Sequence, residues 1–390
     1  MGEQPSSADA PLWAVVELDQ FRTPEQTQAS QWRRSLRSVS TWLGGKNNAE
    51  QQVKDESELR ALPEVRLAHI VPPIDWAPVA MALAQQLEGQ DAPVTFFITT
   101  PFSGHASVVT HWAEKHHVTC LAPPTLSEIA EGSTQWVERC VNQREWAIPA
   151  LERYFLRHTQ GIQGIREFLE RALSGRLGQG VIGCDSWTYA FLQRAIGIDG
   201  APVFTLQSME GEQLSRYFAE IATHSGQPPP VYSTRTGKQV LANLKGNGHE
   251  LVKNEASRKG TNKELQRLAA NCRGHVGLAW HYWRERLREP KVDDEEALWL
   301  VDALAEAELA ADTGDIATLV LHALLVHGGL DDHCLGEVLP FSHHEALNAR
   351  LALQRKGIVS NCEGRWQITP LSYASVRQLL ESRKYLVDPL

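Results

Sequence analysis

Two hydrophobic periods alternate along residues 63–226. Short runs rich in β-branched and aromatic residues, typical of buried parallel strands, are separated by longer segments with apolar residues three and four apart, typical of helices. We predict strands at 94–99, 117–121, 145–149, 180–184 and 202–206. The predicted helices lie at 76–88, 104–115, 163–175, 187–196 and 210–223. This alternation predicts an α/β domain whose mostly parallel sheet is covered by helices.

The segments on either side of this domain have different patterns. Residues 44–58 are polar, charged and without periodicity, so residues 1–62 are predicted to form an N-terminal segment with a flexible linker. Three consecutive prolines, Pro228–Pro230, interrupt the alternation and begin an irregular connection. Apolar spacing then predicts helices from residue 264 onward, including one over 293–312.

Residues 315–390 form a separate module. The pattern predicts helices at 315–327, 331–338 and 342–356, a hairpin with a turn at Glu363-Gly364, and a final helix. Three helices followed by a β-hairpin is the order of a winged-helix domain.

Composition narrows the class of protein. The chain has 390 residues, 42% hydrophobic and 22% charged, which is typical of a globular protein with several cores. The net charge of -9 argues against a dedicated nucleic-acid coat, since such binding depends on accumulated Lys and Arg. The sequence has no long apolar run and its first residues lack a signal-peptide pattern, so we expect a cytoplasmic protein without a transmembrane segment. The six cysteines are too widely spaced for a zinc or dithiol motif.

The candidate chemistry lies where the first predicted strand meets its helix. A phosphate-binding loop needs a strand, a Gly-rich turn and a helix N-terminus. The usual pattern of Gly, four residues, Gly, Lys and Ser or Thr falls on Thr99, Thr100, Pro101, Phe102, Ser103, Gly104, His105 and Ala106. Only Gly104 matches, while His105 replaces the Lys that reaches the phosphates and Ala106 replaces the Mg²⁺-binding hydroxyl. The segment is therefore interpreted as a vestigial nucleotide-binding loop.

In the order of its segments the chain resembles P-loop ATPases of the AAA or STAND type, over about residues 65–390. Residues 146–155 resemble a Walker B segment, with Pro149 in place of the Mg²⁺-binding Asp and with Glu152 after it. Residues 180–187 resemble the sensor-1 strand, with Asp185 and Ser186 at its polar end. Residues 272–283 are similar to the lid segment, which gives Arg273 a sensor-like position.

The resemblance implies a fold and a loss of activity. It implies a degenerate P-loop NTPase-like α/β domain at 63–226, an irregular connection and helical lid at 227–314, and a winged helix at 315–390. Without the Lys, the hydroxyl and the carboxylate, we expect no hydrolysis of ATP, no catalytic residues and no metal. We expect no cofactor, although the loop amides and the helix N-terminus could still hold ATP or ADP without Mg²⁺.

Most other chemistry-bearing residues have ordinary interpretations. His105 is interpreted as a surface histidine at a helix start, and Glu152 as a surface charge. Arg153 and Arg157 could face a partner subunit. A cluster of metal-capable side chains near a turn matches no zinc spacing; its members are His327, Asp332, His333 and Cys334.

Three functions follow in order of preference. The first is a catalytically silent scaffold or regulator that contacts other proteins, such as an intact ATPase or a second copy of itself. The alternative is a weak or partner-completed ATPase in which Arg153 or Arg157 contributes. The second alternative is a DNA-associated regulator, which is disfavoured because residues 342–345 carry no Lys or Arg and only Arg350, Arg355 and Lys356 follow. The basic residues of 235–267 could assist such binding.

Overall fold

The computed structural model describes residues 11–24, 54–141, 144–223, 229–241, 263–292, 297–302, 309 and 313–390. Its strands are Val15–Glu17 (β1), Leu59–Ala61 (β2), Val94–Thr99 (β3), Thr119–Cys120 (β4), Glu145–Ile148 (β5), Gln179–Asp185 (β6), Val203–Leu206 (β7), Val231–Ser233 (β8), Leu287–Pro290 (β9), Leu298–Leu300 (β10), Val359–Cys362 (β11) and Arg365–Ile368 (β12).

Its α-helices are Glu64–Ile70 (α1), Ala77–Leu87 (α2), His105–His116 (α3), Leu126–Ala130 (α4), Gln135–Glu138 (α5), Gln163–Leu173 (α6), Ser186–Ile196 (α7), Gly211–Thr223 (α8), Lys263–Asn271 (α9), Val276–Arg286 (α10), Asp315–Val326 (α11), Asp332–Val338 (α12), His343–Arg355 (α13) and Tyr373–Ser382 (α14).

The chain divides into two compact units. The large-sheet unit comprises Trp13–Phe21, Asp75–Gln207 and Glu306–Leu390. The small-sheet unit comprises Met1–Leu12, Arg22–Ile74 and Ser208–Ala305. Residues 315–390 therefore belong to the same compact unit as most of the predicted α/β domain, rather than forming a unit of their own.

The sheet of the large-sheet unit has the order β1-β7-β3-β6-β5-β4. β1 is antiparallel to β7, and the other neighbours are parallel, which confirms the expected mostly parallel sheet covered by helices. All six residues of β3 are buried, because β3 lies inside the sheet with helices over its faces. Large aromatic side chains such as Trp146 and Phe168 fill the core beside it.

Residues 315–390 have the predicted order of elements. α11, α12 and α13 precede the β11–β12 hairpin, which pairs antiparallel, and α14 follows. α11 packs on α7, where the Thr188 hydroxyl donates to the main-chain oxygen of Val326 at 2.6 Å. This module is thus joined directly to the helix that follows β6.

The small-sheet unit corrects one predicted element. Its sheet has the order β2-β9-β10-β8 and is accompanied by α1, α8, α9 and α10. The helix predicted over 293–312 is wrong, because Leu298–Leu300 form strand β10. Those residues are all buried, and a short continuous apolar run looks the same in a buried strand and a buried helix. Residues 293–296, 303–308 and 310–312 of the predicted helix lie outside the described residues.

A second correction concerns the strand predicted at 117–121. α3 continues to His116, and His117 closes it with a left-handed φ of 56°. Only Thr119–Cys120 then pair with β5. Lys245, Lys253, Arg258 and Lys259, from the basic set of 235–267, lie outside the described residues.

Candidate functional site

Sheet topology selects one position for a site. In the strand order, β4 lies beyond β6 and β5 toward one edge of the sheet, so the chain runs toward that edge after β3. After β6 it runs toward the opposite edge, because β7 lies beyond β3. In open α/β sheets ligands bind outside the carboxyl ends of the strands where the connections diverge in this way. β3 and β6 are neighbours whose last residues, Thr99 and Asp185, lie side by side in register. The loop of residues 99–106 therefore begins at the favoured position.

The loop itself is compact and internally bonded. The Ser103 amide donates to the Thr100 oxygen at 3.1 Å, and the hydroxyls of these two residues lie 3.0 Å apart. Phe102 and Gly104 both have left-handed backbone conformations, with φ of 68° and 71°. Left-handed φ is uncommon for a bulky residue such as Phe102, so the surrounding packing must hold the loop in this form.

Gly104 is covered by a tryptophan. A Cβ at this position would overlap the indole of Trp76, the residue that precedes α2. The backbone of Gly104, the one residue that matches the phosphate-loop pattern, is thus closely approached by a side chain of the same unit.

His105 is the centre of the site. Its Nδ1 lies 3.3 Å from the Thr99 hydroxyl and its Nε2 lies 2.8 Å from Oε1 of Glu152. Only 12% of the His105 side chain is exposed, so its interpretation as a surface histidine is wrong. Burial would lower the pKa of His105, but the charge and hydrogen bond of Glu152 act against it, and the pKa is raised from 6.5. Below that raised pKa, the protonated ring donates to both partners.

Glu152 is the partner charge, which also corrects the sequence interpretation. It lies in the short turn Leu151–Arg153 after β5 with 9% of its side chain exposed. Burial would raise the pKa of Glu152, but His105 and the main-chain amides of Glu152 and Asp185 act against it, and the pKa is lowered from 4.5. Oε2 of Glu152 is buried and has no hydrogen-bond partner among the described residues.

A second carboxyl group is buried beside this pair. Asp185 ends β6 and caps α7 by accepting the Trp187 amide at 2.9 Å. Burial raises its pKa well above 3.8, and the charge of Glu152 adds to the effect. His105 and Glu152 thus form an internal ion pair, and the buried carboxyl group of Asp185 lies beside it.

The module 315–390 covers this end of the sheet. A Cβ on Gly328, just after α11, would lie 3.1 Å from Cγ of Glu152. The ring of Tyr373 meets the ring of Phe102 edge to face, with centroids 6.3 Å apart. Gly328 and Tyr373 of the module thus lie next to the ion pair and the loop, respectively.

The remaining predicted residues are distributed as follows. Pro149 follows β5, and its main-chain oxygen lies against Gly183 of β6. The Ser186 hydroxyl is buried and donates to Asp388 at 2.9 Å. Arg273 belongs to the small-sheet unit, where it precedes α10 with a φ of 52°. The sensor-like residues are therefore divided between the two units.

The arginines predicted to face a partner differ from each other. Arg157 is held within the unit, since it donates to Nδ1 of His322 at 2.8 Å and its amide donates to Nε2 of His327 at 3.3 Å. Arg153 is exposed. No group of three or more His, Cys, Asp or Glu residues in the described part of the chain is arranged to hold a metal ion.

Sequence reasoning missed Trp76, Gly328, Tyr373 and Asp388 as neighbours of the site. Each is far in sequence from the loop, and no motif marks any of them. Within the described ranges, no helix is long and apolar enough to cross a membrane. Comparison with models of known protein families and with curated proteins finds no match.

Proposed function

We propose that this chain is a catalytically silent relative of AAA or STAND ATPases and acts as a scaffold or regulator through protein contacts. The observation that carries the proposal is the His105–Glu152 ion pair, at 2.8 Å, in the position that the motif assigns to the phosphate-binding Lys. A side chain that is neutralised within the protein supplies no free charge for a phosphate.

Electrostatic reasoning also supports the proposal that the chain does not bind or hydrolyse ATP. An incoming triphosphate would lie beside the Glu152 carboxylate and could gain the charge of His105 only by breaking the pair. Separating a buried pair so that one charge is left without its partner costs about 3–5 kcal/mol. Metal cannot offset this readily, because Pro149 and Ala106 occupy the positions that would supply the Mg²⁺ ligands.

The alternative functions have less support. Arg157 is held by His322 and His327, which leaves only the exposed Arg153 of the two arginines considered for a partner-completed ATPase. For DNA binding, Arg350 is 6% exposed, makes two hydrogen bonds to Asp332 at 2.9 and 3.0 Å, and stacks on Trp366. It is therefore held inside the module rather than offered to phosphate.

The proposed absence of ATP binding and hydrolysis is tested by thermal melting and by phosphate release, both with the whole chain. A ligand at one hundred times its dissociation constant stabilises a protein by about 2.7 kcal/mol. We expect no change of Tm with millimolar Mg-ATP and no phosphate release above buffer. The matched control is the triple variant His105→Lys, Ala106→Thr, Pro149→Asp, which restores the missing groups. A wild-type Tm that rises with Mg-ATP and falls back in His105→Ala would contradict the proposal.

The scaffold function is tested by capture of partners with the tagged chain. We expect the same partners to be recovered whether ATP is supplied or enzymatically depleted. Partners that are recovered only with ATP, and are lost in His105→Ala, would indicate a nucleotide switch instead.

A further inference from the structure

Residues 385–390 lie against α7 and α14 and are held there by a buried carboxylate. The Asp388 side chain is 0% exposed. It accepts from the Ser186 hydroxyl at 2.9 Å, from Nε of Arg377 at 2.9 Å and from the Tyr373 hydroxyl at 3.3 Å. A guanidinium and two hydroxyls around one carboxylate form a specific acid-binding site.

Leu390 provides a second anchor two residues later. It is 1% exposed and belongs to the hydrophobic core cluster of the large sheet. Nη2 of Arg377 donates to its main-chain oxygen at 3.2 Å. Leu386 and Pro389 are exposed, so the residues that the segment buries most fully are Asp388 and Leu390.

The connection to this segment is a short turn that ends α14, in which the amides of Lys384 and Tyr385 donate to the oxygens of Glu381 and Leu380. α14 ends at Ser382, and Lys384 has a left-handed φ of 59°, which is uncommon for a side chain of this type. Residues 385–390 form no helix or strand. The segment is attached at three residues: Asp388, Leu390 and Tyr385, whose amide donates to the Leu380 oxygen at 3.0 Å and whose ring meets His322 with centroids 5.3 Å apart.

We propose that the groove formed by Ser186, Tyr373, Arg377 and the adjoining core is a peptide-binding site, which is occupied here by residues 385–390 of the same chain. Its partner is a protein segment with an Asp two residues before a Leu, since the guanidinium and hydroxyls select a carboxylate and the core position selects an apolar side chain. This inference is independent of whether residues 99–106 bind nucleotide.

Displacement of residues 385–390 would affect the loop of residues 99–106 through Tyr373. The Tyr373 hydroxyl contacts Asp388 and accepts from Nε1 of Trp187 at 3.0 Å, while its ring meets Phe102 of the loop. A partner that replaces residues 385–390 therefore acts on the residues that hold the loop in its left-handed conformation.

The test uses the full chain and a labelled probe peptide with the sequence of residues 383–390, Arg-Lys-Tyr-Leu-Val-Asp-Pro-Leu. Asp388→Asn weakens the chain's own segment and should free the groove. We expect the probe to bind Asp388→Asn about 10- to 100-fold more tightly than wild type, because a tethered segment competes at an effective concentration near millimolar. A second probe peptide, in which asparagine replaces the aspartate that corresponds to Asp388, should bind the Asp388→Asn chain at least tenfold more weakly than the first probe.

The control variant is Glu381→Gln, which removes the other carboxylate of Arg377. That carboxylate is 66% exposed and lies 3.5 Å from the guanidinium, so this variant should bind the probe as weakly as wild type. Equal probe affinity for Asp388→Asn and Glu381→Gln would overturn the proposal.

A second measurement covers the case in which Asp388→Asn does not fold. Hydrogen exchange of the wild-type chain should show faster exchange of residues 385–390 when the probe is in large excess, with the amides of β3 unchanged. No change at millimolar probe would overturn the proposal. A wild-type dimer that the probe dissociates would assign the groove to a second copy of this chain and overturn its assignment to another protein.

Discussion

Replacing Glu152 by alanine removes the carboxylate that pairs with His105 in a site where the two side chains are 9% and 12% exposed. Removing one partner of a buried ion pair typically costs about 3–5 kcal/mol, because the remaining charge loses its compensation. We expect Glu152→Ala to lower the free energy of unfolding by about 3 kcal/mol or more. Glu152→Gln should cost about 1–2 kcal/mol, since a neutral imidazole can still donate to the amide oxygen.

The assay is urea unfolding near pH 6, followed by tryptophan fluorescence, together with hydrogen exchange of β3 and β6. The exchange measurement assigns the loss to the large-sheet unit, because those strands carry Thr99 and Asp185. Glu170→Ala is the control: Glu170 is an exposed carboxylate on α6, where such a change typically stays within about 0.5 kcal/mol.

The pH dependence of the stability loss distinguishes loss of the His105–Glu152 pair from other destabilising effects of the substitution. The pKa of Glu152 is lowered from 4.5, so its contribution is present above that value and is lost as the pH falls through the lowered pKa. The pKa of His105 is raised from 6.5, so its contribution is complete below that value and is lost as the pH rises through the raised pKa. The difference between wild type and Glu152→Ala should therefore be largest between pH 4.5 and 6.5. A cost below about 1 kcal/mol throughout this window would refute the reasoning.

Three further outcomes are expected. Gly104→Ala should cost about 1–3 kcal/mol more than Gly89→Ala in thermal unfolding, because both glycines have positive φ but only Gly104 lies against Trp76. The pKa of His327 is lowered from 6.5 to about 3 by burial and Arg157, so its stabilising effect is present above pH 6.5 and is lost as the pH falls. Acidification from pH 7 to pH 5 should therefore destabilise wild type by about 2 kcal/mol more than His327→Gln, and equal losses would contradict this. Arg350→Ala should lower the Tm while Arg355→Ala leaves it unchanged, since Arg350 binds Asp332 and Trp366 whereas Arg355 is exposed; a normal Tm with lost DNA binding would favour the DNA alternative instead.

Local patterns in the sequence predicted β3, β5, β6 and β7 of the large sheet, placed β4 within a longer strand and did not predict β1. The buried run of β3 and the three-helix and hairpin order of residues 315–390 are encoded in short-range periodicity. The same information could not separate β10 from a helix, because three consecutive buried residues have no diagnostic period.

The sequence predicted that Thr99 and Asp185 lie at strand ends, but it did not predict the burial and pairing of the side chains around them. Its strand ends follow from the order of elements, whereas the pairing of His105 with Glu152 joins residues 47 apart. The contact between Thr188 and Val326 joins residues 138 apart and brings the module to the sheet. Charged residues are usually exposed, so only the tertiary structure reveals that His105 and Glu152 are buried with each other.

We propose that His105 and Glu152 neutralise each other where a nucleotide phosphate would need a free cation. The decisive experiment is calorimetric titration of ATP into the whole chain at pH 7, with Mg²⁺ present. We expect only the heat of dilution up to millimolar ATP. A saturable isotherm of one ATP per chain that is lost in His105→Ala would contradict the claim.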